Sequence, residues 1–390
     1  MPLAIPVLLF VLTALSAQAA PFVPAADNHV LERLPYQPNE PVQQQLRSLR
    51  AQLQAQPHNL SVAVEVARRY VELGRSSGDP RYAGYAEAAL GPRWSSAQPP
   101  TTVRLLRATL LQRQHRFDAA LADLDAVLEA QPRHAQARLT RATALQVQGA
   151  FDGARAECLA LQPLTQELVS ATCLANVDAA TGSLRTSYAR LRAVLERHTD
   201  APAGIRAWVL TSLAEMALRG GSVREAEAHF RQALVLDPED SYLMGAYADF
   251  LLDQGNPTEA IELLRDRRRN DGLLLRYAMA LKARGSPDLP SQVDELRSRF
   301  AASRLRGDRV HLREEARFTA HLLQDAAGAL KLAQQNWAVQ KEPADLRILL
   351  EAAVATQDQA ALDSAAAWLA RTRLEDVQLA HLVSMRPHPQ

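Results

Sequence analysis

The sequence predicts an all-α fold, an α-solenoid of about nine helical hairpins, and three observations carry that prediction. Aromatic residues make up 5% of the 390 residues and Gly fills only 16 positions, a mix poor in the residues that strands prefer. Hydrophobic residues reach 47%, with Ala frequent throughout; this suits closely packed helices and excludes wholesale disorder. The third observation is that the chain matches itself with a period of about 34 residues. Charge narrows the function classes. Lys and Arg number 44 against 43 Asp and Glu, a net charge of +1, too little for a nucleic-acid binder working by bulk electrostatics. Only Lys282, Lys331 and Lys341 are lysines, and no Arg cluster has phosphate-site spacing.

The first element is a leader. Leu3 to Leu15 are apolar, and Ala17-Gln18-Ala19 supplies the small-x-small pattern of a cleavage site. The expectation is a signal peptide over 1–19, although no Lys or Arg precedes the apolar stretch. The alternative is a retained anchor of about 18 residues, at the bottom of the spanning range. Pro21 and Pro24 favour cleavage and an extended start. No Cys follows for a lipid anchor, and no other stretch approaches spanning length. Residues 20–57 read as an N-terminal extension and capping helix, with Val42, Leu46, Leu49 and Leu53 at helical spacing ahead of Pro57.

Repeats fill 58–285. Leu213-Ala214, Gly221, Ala226, Phe230, Ala233 and Pro238 return, one period on, as Tyr247-Ala248, Gly255, Ala260 and Leu264. Upstream, Ala108, Leu111, Ala120 and Leu124 match Ala142, Leu145, Ala154 and Cys158. A copy one position short of the period holds Ala175, Gly182 and Leu191. An earlier copy holds Ala67, Tyr70 and Gly74, and a later one Tyr277-Ala278, Leu281 and Gly285. The pattern resembles the tetratricopeptide repeat, with small residues at repeat positions 8 and 20, a bulky one at 24 and Pro near 32. Small residues at 8 and 20 let two helices approach closely, and Gly near 15 ends the first helix in a left-handed conformation. This sequence has Ala at position 8 and usually lacks Trp at position 4.

Residues 286–382 read as degenerate repeats and a C-terminal cap, and 383–390 as a disordered tail. Leu312, Ala316, Ala320 and Leu323 with Leu330, Ala333 and Trp337 give one hairpin. Leu346, Leu349 and Ala353 with Leu362, Ala366 and Leu369 give another. Degenerate end copies serve a solenoid as caps. Cys158 and Cys173 fall on consecutive helices, at a separation of 15. After export they would bridge, or remain two small buried thiols in a helical seam.

The resemblance implies that first helices line a concave face through positions 2, 5, 9, 12 and 13. Here those positions hold Arg68 and Glu72, then Thr109, Gln112 and Arg113, then Thr143 and Gln146. They continue with Thr172 and Asn176, with Trp208, Thr211, Glu215 and Arg219, and with Tyr242, Asp249 and Asp253. Asn176 falls where related proteins use Asn to hydrogen-bond a bound peptide backbone, and Trp208 and Tyr242 offer anchor area. The Lys/Asn/Arg clamp of chaperone-adaptor members is absent. The implied function is a non-enzymatic scaffold binding a protein or peptide of an envelope complex, periplasmic or secreted. It needs no cofactor, no nucleic acid and no membrane span after cleavage. Alternatives are a carrier of a metal or small ligand, with His311, Glu314, Glu315 and His321 on one stretch of helix, and a non-catalytic subunit of an envelope enzyme complex. No HExxH, GxSxG or phosphate-cradling Gly loop occurs. No stretch over about 40 residues escapes the helical pattern, which leaves no room for a catalytic domain.

Overall fold

The computed structural model describes residue 26 and residues 41–385, apart from 80, 306, 308 and 309. The expected leader over 1–19 and the end of the expected tail, 386–390, lie outside the described residues. Among the described residues the chain forms twenty α-helices and no strand.

The capping helix is α1 (Pro41–Ala55), with Leu46 buried and Leu49 and Leu53 packed against the first repeat. Nine antiparallel hairpins follow. The first three are α2 (Leu60–Ser77) with α3 (Arg81–Leu90), α4 (Thr101–Arg113) with α5 (Phe117–Ala130), and α6 (Ala135–Val147) with α7 (Phe151–Leu161). Next come α8 (Glu167–Ala179) with α9 (Leu184–Arg197), α10 (Ala203–Arg219) with α11 (Val223–Leu236), and α12 (Ser241–Asp253) with α13 (Pro257–Leu264). The last are α14 (Asp271–Ala283) with α15 (Leu289–Leu305), α16 (Leu312–His321) with α17 (Ala326–Val339), and α18 (Pro343–Thr356) with α19 (Gln359–Thr372). A closing helix, α20 (Val377–Ser384), packs on α18. It carries two residues that the sequence assigns to the tail, because Leu379, Leu382 and Val383 bury against the last hairpins.

Each hairpin closes around its small residues. Ala108 with Ala120, Ala214 with Ala226 and Ala248 with Ala260 are all buried, as are Leu124, Phe230 and Leu264 at the bulky position. First helices pack on the first helices of the next hairpin, so successive hydrophobic clusters merge along the chain. The turn after each first helix needs a left-handed residue. Gly149 meets that need at φ +77°, with Lys341 side-chain carbons 3.2–3.3 Å from where a Cβ would sit. In three hairpins a non-glycine residue holds the same conformation: His115, Gln324 and Gln357, at φ between +56° and +59°. In the first hairpin the turn is displaced. Gly74, expected to end the helix, lies inside α2, which continues to a left-handed cap at Gly78.

The solenoid coils tightly enough for its later hairpins to meet its earlier ones. Arg75 at the end of α2 pairs with Asp240 at 2.7 Å, and the Ser241 hydroxyl donates to the Arg75 carbonyl at 3.1 Å. The Lys341 N–H donates to the Val147 carbonyl at 2.7 Å, and the Leu184 N–H to the Glu375 carboxylate at 3.0 Å. Phe151 and Trp368 rings lie 6.3 Å apart. The C-terminal ends of α2 and α6 therefore meet the starts of α12 and α18, and the start of α9 meets the segment ahead of α20. At the first two of these contacts the negative end of one helix dipole faces the positive end of another, the favourable sense.

His115 sits in this seam, stacked on Phe117 and 3.2 Å from the Gln340 amide through Nδ1. Burial, helped by the Arg313 and His311 charges and opposed by Glu314, pushes its pKa down to about 4. The unfolded chain then takes up more protons than the folded one between about pH 6.5 and pH 4, so this residue's contribution to stability grows with pH across that window. Relative to His115→Asn, the parent is expected to lose up to about 3 kcal/mol between pH 6.5 and pH 4, measured by denaturant unfolding. A parallel pH profile for parent and variant would contradict the placement.

Cys158 and Cys173 are joined by a disulfide linking α7 to α8, with a Cα–Cα distance of 5.5 Å. A closed loop of 15 residues contributes about 3 kcal/mol. Reduction should lower the melting temperature, and Cys158→Ala/Cys173→Ala should show no further effect of reductant.

Candidate functional site

The register of the repeat places one side-chain stripe of every first helix on the inner face of the coil. Along α10, Trp208, Glu215 and Arg219 follow each other at spacings of seven and four, which returns each to the same side of the helix. The inner face divides into two parts with different chemistry.

Over α2, α4, α6 and α8 it is polar and mostly neutral. Arg68 and Thr143 are exposed, and Gln146 and Asn176 are half-buried. Thr109 and Thr143 turn their hydroxyls back to Leu105 and Leu139 on their own helices. Arg113 is tied down, donating to the Gly74 carbonyl at 2.9 Å. Asn176 donates to the Ser212 hydroxyl at 3.3 Å, bridging α8 and α10. Two expected positions are not on an accessible surface. Thr172 and Thr211 are buried where first helices pack, bonded to Leu168 at 2.6 Å and Ala207 at 2.9 Å.

From α10 onward the inner face is charged and largely paired with later first helices. Asp249 is held by Arg276 at 2.6 Å and by Arg317 at 2.7 Å. Burial raises its pKa, but the two guanidiniums outweigh this and hold the carboxyl well below the usual range. Asp253 receives both terminal nitrogens of Arg347, at 2.6 and 2.7 Å, and the Gln378 amide at 3.1 Å. Arg347 also meets Glu351 at 2.7 Å, and His321 meets the other oxygen of Glu351 at 3.1 Å. The hollow between α12, α18 and α20 is thus crossed by bonds within the chain.

Glu215 is different. Its partner is the neutral hydroxyl of Tyr242, which donates at 2.6 Å. Burial raises the Glu215 pKa to about 7; the Tyr242 hydrogen bond and the Arg219 and Arg313 charges lower it, and Glu342 raises it further. The carboxylate in turn pushes the Tyr242 phenol well above its usual value. Tyr242 is 60% exposed and Trp208 36%. Tyr242's exposure is toward the hollow, whose walls supply the Glu342 and Arg313 charges that act on it.

The stretch carrying His311, Glu314, Glu315 and His321 does not converge. Glu315 pairs with Arg304, Glu314 with Arg313 at 3.4 Å, and His321 with Glu351. Among the described residues no group of three or more His, Cys, Asp or Glu could hold a metal ion, and no helix is long and apolar enough to cross a membrane. The residues that sequence reasoning missed are Arg276, Arg313, Arg317 and Arg347. Arg276 precedes Tyr277-Ala278 as Ala246 precedes Tyr247-Ala248, a position outside the five that line the face in the family, so the register does not offer it. The other three stand on hairpins too degenerate to register.

With this geometry in place, the family comparison is specific. The tetratricopeptide repeat model matches residues 105–167 and 211–272. Both stretches are tetratricopeptide repeats. They run from within α4 to the start of α8, and from the middle of α10 to the start of α14. No curated protein matches the chain. Among solved structures, a tetratricopeptide repeat protein from Parabacteroides merdae is 11% identical, over 74% of this chain and 97% of that one, at a TM-score of 0.38. Yeast Tom70 is 12% identical over 88% and 91%, at 0.36. A monomeric mutant of IFIT1 with Gppp-AAAA is 14% identical over 87% and 81%, at 0.40.

The pairing at Glu215 is measurable. Its carboxyl carbon, followed by NMR, should titrate near pH 7. Glu342→Gln is expected to lower that midpoint and Tyr242→Phe to raise it. Titration in the ordinary Glu range, unmoved by either change, would show that these groups do not meet.

Proposed function

We propose that this chain is a non-enzymatic scaffold of the bacterial cell envelope, periplasmic or secreted, that holds a partner protein or peptide on the inner face of its coil. The observation that carries the reading is the contrast along that face. Beyond α12 the inner side chains are consumed by pairs within the chain. From α2 to the start of α12, Arg68 and Thr143 at repeat position 9 and Trp208 and Tyr242 at position 2, seven apart and so on one helix face, remain exposed. Exposed aromatics on a rigid helical frame offer large contact area at little entropic cost, which is how interface anchors work. On the same face the half-buried Gln146 amide can both donate to and accept from an extended backbone.

Location is part of the proposal. The disulfide between Cys158 and Cys173 supports an oxidising compartment, in keeping with the apolar leader ahead of Ala17-Gln18-Ala19. The test is affinity capture from an envelope fraction with the purified oxidised protein. A partner retained by the parent and by the convex-face variant Val235→Ala, but lost with Trp208→Ala or Thr143→Arg, is the expected result. Equal retention by all four would place the contact elsewhere. Cell fractionation with intact-mass measurement should find the protein outside the cytoplasm and beginning at residue 20; a cytoplasmic chain of full length would overturn the envelope assignment.

A further inference from the structure

We propose that the strip formed by Trp208, Glu215 and Tyr242 receives a basic extended segment of the partner, an Arg or Lys side chain lying against the two rings with its charge on Glu215; this rests on the scaffold reading above.

Both rings are accessible. Trp208 and Tyr242 are large side chains that the fold leaves open, at the same position of two consecutive repeats. Packed helix axes stand about 8–10 Å apart, and an extended chain advances about 3.3 Å per residue. Side chains three apart in such a segment would reach neighbouring first helices. The faces of indole and phenol rings attract cations, so the exposed area selects for charge as well as for contact.

Charge complementarity points the same way. Around the strip each guanidinium is shared among several carboxylates. Arg313 stands 3.4 Å from Glu314, 3.1 Å from Glu342 and 3.5 Å from Asp345. Arg219 acts on Glu215, Glu375 and Asp376, and its own hydrogen bond goes to the Ala179 carbonyl at 3.2 Å. Asp249, by contrast, has two guanidiniums directly on it, Arg276 at 2.6 Å and Arg317 at 2.7 Å. The wall facing the rings therefore carries surplus negative charge, which a basic ligand neutralises and an acidic one worsens. Among the described residues Glu215 has no cationic hydrogen-bond partner and accepts only from Tyr242, and its raised pKa is consistent with that. A guanidinium or ammonium from outside would supply what Arg276 and Arg317 supply to Asp249.

The experiment uses the full oxidised chain and two fluorescein-labelled peptides of equal length, alternating Arg-Gly and alternating Glu-Gly, titrated by fluorescence anisotropy at moderate salt. The Arg-Gly peptide is expected to bind at least tenfold tighter than the Glu-Gly peptide. Trp208→Ala and Glu215→Gln should each weaken it five- to fiftyfold, while Glu227→Gln on the outer helix α11 leaves it unchanged. Circular dichroism melting should match the parent for each variant. Tighter binding of the Glu-Gly peptide that still depends on Trp208 would overturn the preference for a cation and keep the inner face as the docking surface. Arg-Gly binding indifferent to both Trp208→Ala and Glu215→Gln, or no binding of either peptide, would overturn this inference. The outcome of affinity capture with Trp208→Ala then decides the scaffold reading by itself.

Discussion

The close approach of two helices across buried alanines governs the rest of the molecule. With Ala108 against Ala120 and Ala214 against Ala226, both fully buried, hairpins are thin, and thin hairpins stacked side by side accumulate curvature quickly. A bulkier pair would hold the helices apart and flatten the coil. Replacing Ala226 by Leu would add several carbons at a fully buried position, the overpacking that forces backbones to shift. The curvature is strong enough here that α12 meets α2, α18 meets α6 and the segment ahead of α20 meets the start of α9. A gentler coil of the same hairpins would leave these ends in solvent.

Closure changes the electrostatics of the interior. In an open solenoid the carboxylates of α12 would face water and contribute little to stability. Here Asp249 and Asp253 face guanidiniums from helices one to three hairpins later, at 2.6–2.7 Å. Each has been drawn out of bulk water, and the pairing offsets that cost while fixing the register of α14, α16 and α18 against α12. Asp345 completes the pattern on the other side. It is buried, capped on Glu342 and bonded to the Asn336 amide at 2.7 Å, so it orders the start of α18, from which Arg347 reaches across.

The fold was legible in the sequence because its signal is local and repeated. The spacing of Ala, Gly and bulky residues marks the hairpins up to Gly285, and the helical spacing of apolar residues marks the degenerate ones beyond it. What was not legible depends on contacts between repeats far apart in sequence. Nothing about Asp253 says that Arg347, 94 residues on, will meet both its oxygens. Thr172 and Thr211 fell in groove positions by register, yet tight coiling buries them between first helices. Gly74 carried the expected turn residue, but α2 runs past it because Gly78 supplies the left-handed cap one turn later. The disulfide was one of two readings at a separation of 15, and α7 and α8 bring the pair within bridging distance.

A charged interior in a coil of helices has two explanations, internal cement and a binding wall, and the number of partners separates them. Breaking a buried pair to admit a ligand leaves an uncompensated charge, at about 3–5 kcal/mol. Asp249, with two guanidiniums, and Asp253, with Arg347 and Gln378, belong to the cement, and a ligand there would have to outcompete what the fold already provides. At Glu215 the bond at stake comes from a neutral phenol, on a carboxyl that takes its charge only near pH 7. A cation arriving at Glu215 displaces no ion pair and makes ionisation easier. The same closure that fills the later half of the hollow thus leaves one charged position, beside two open rings, where binding need undo nothing.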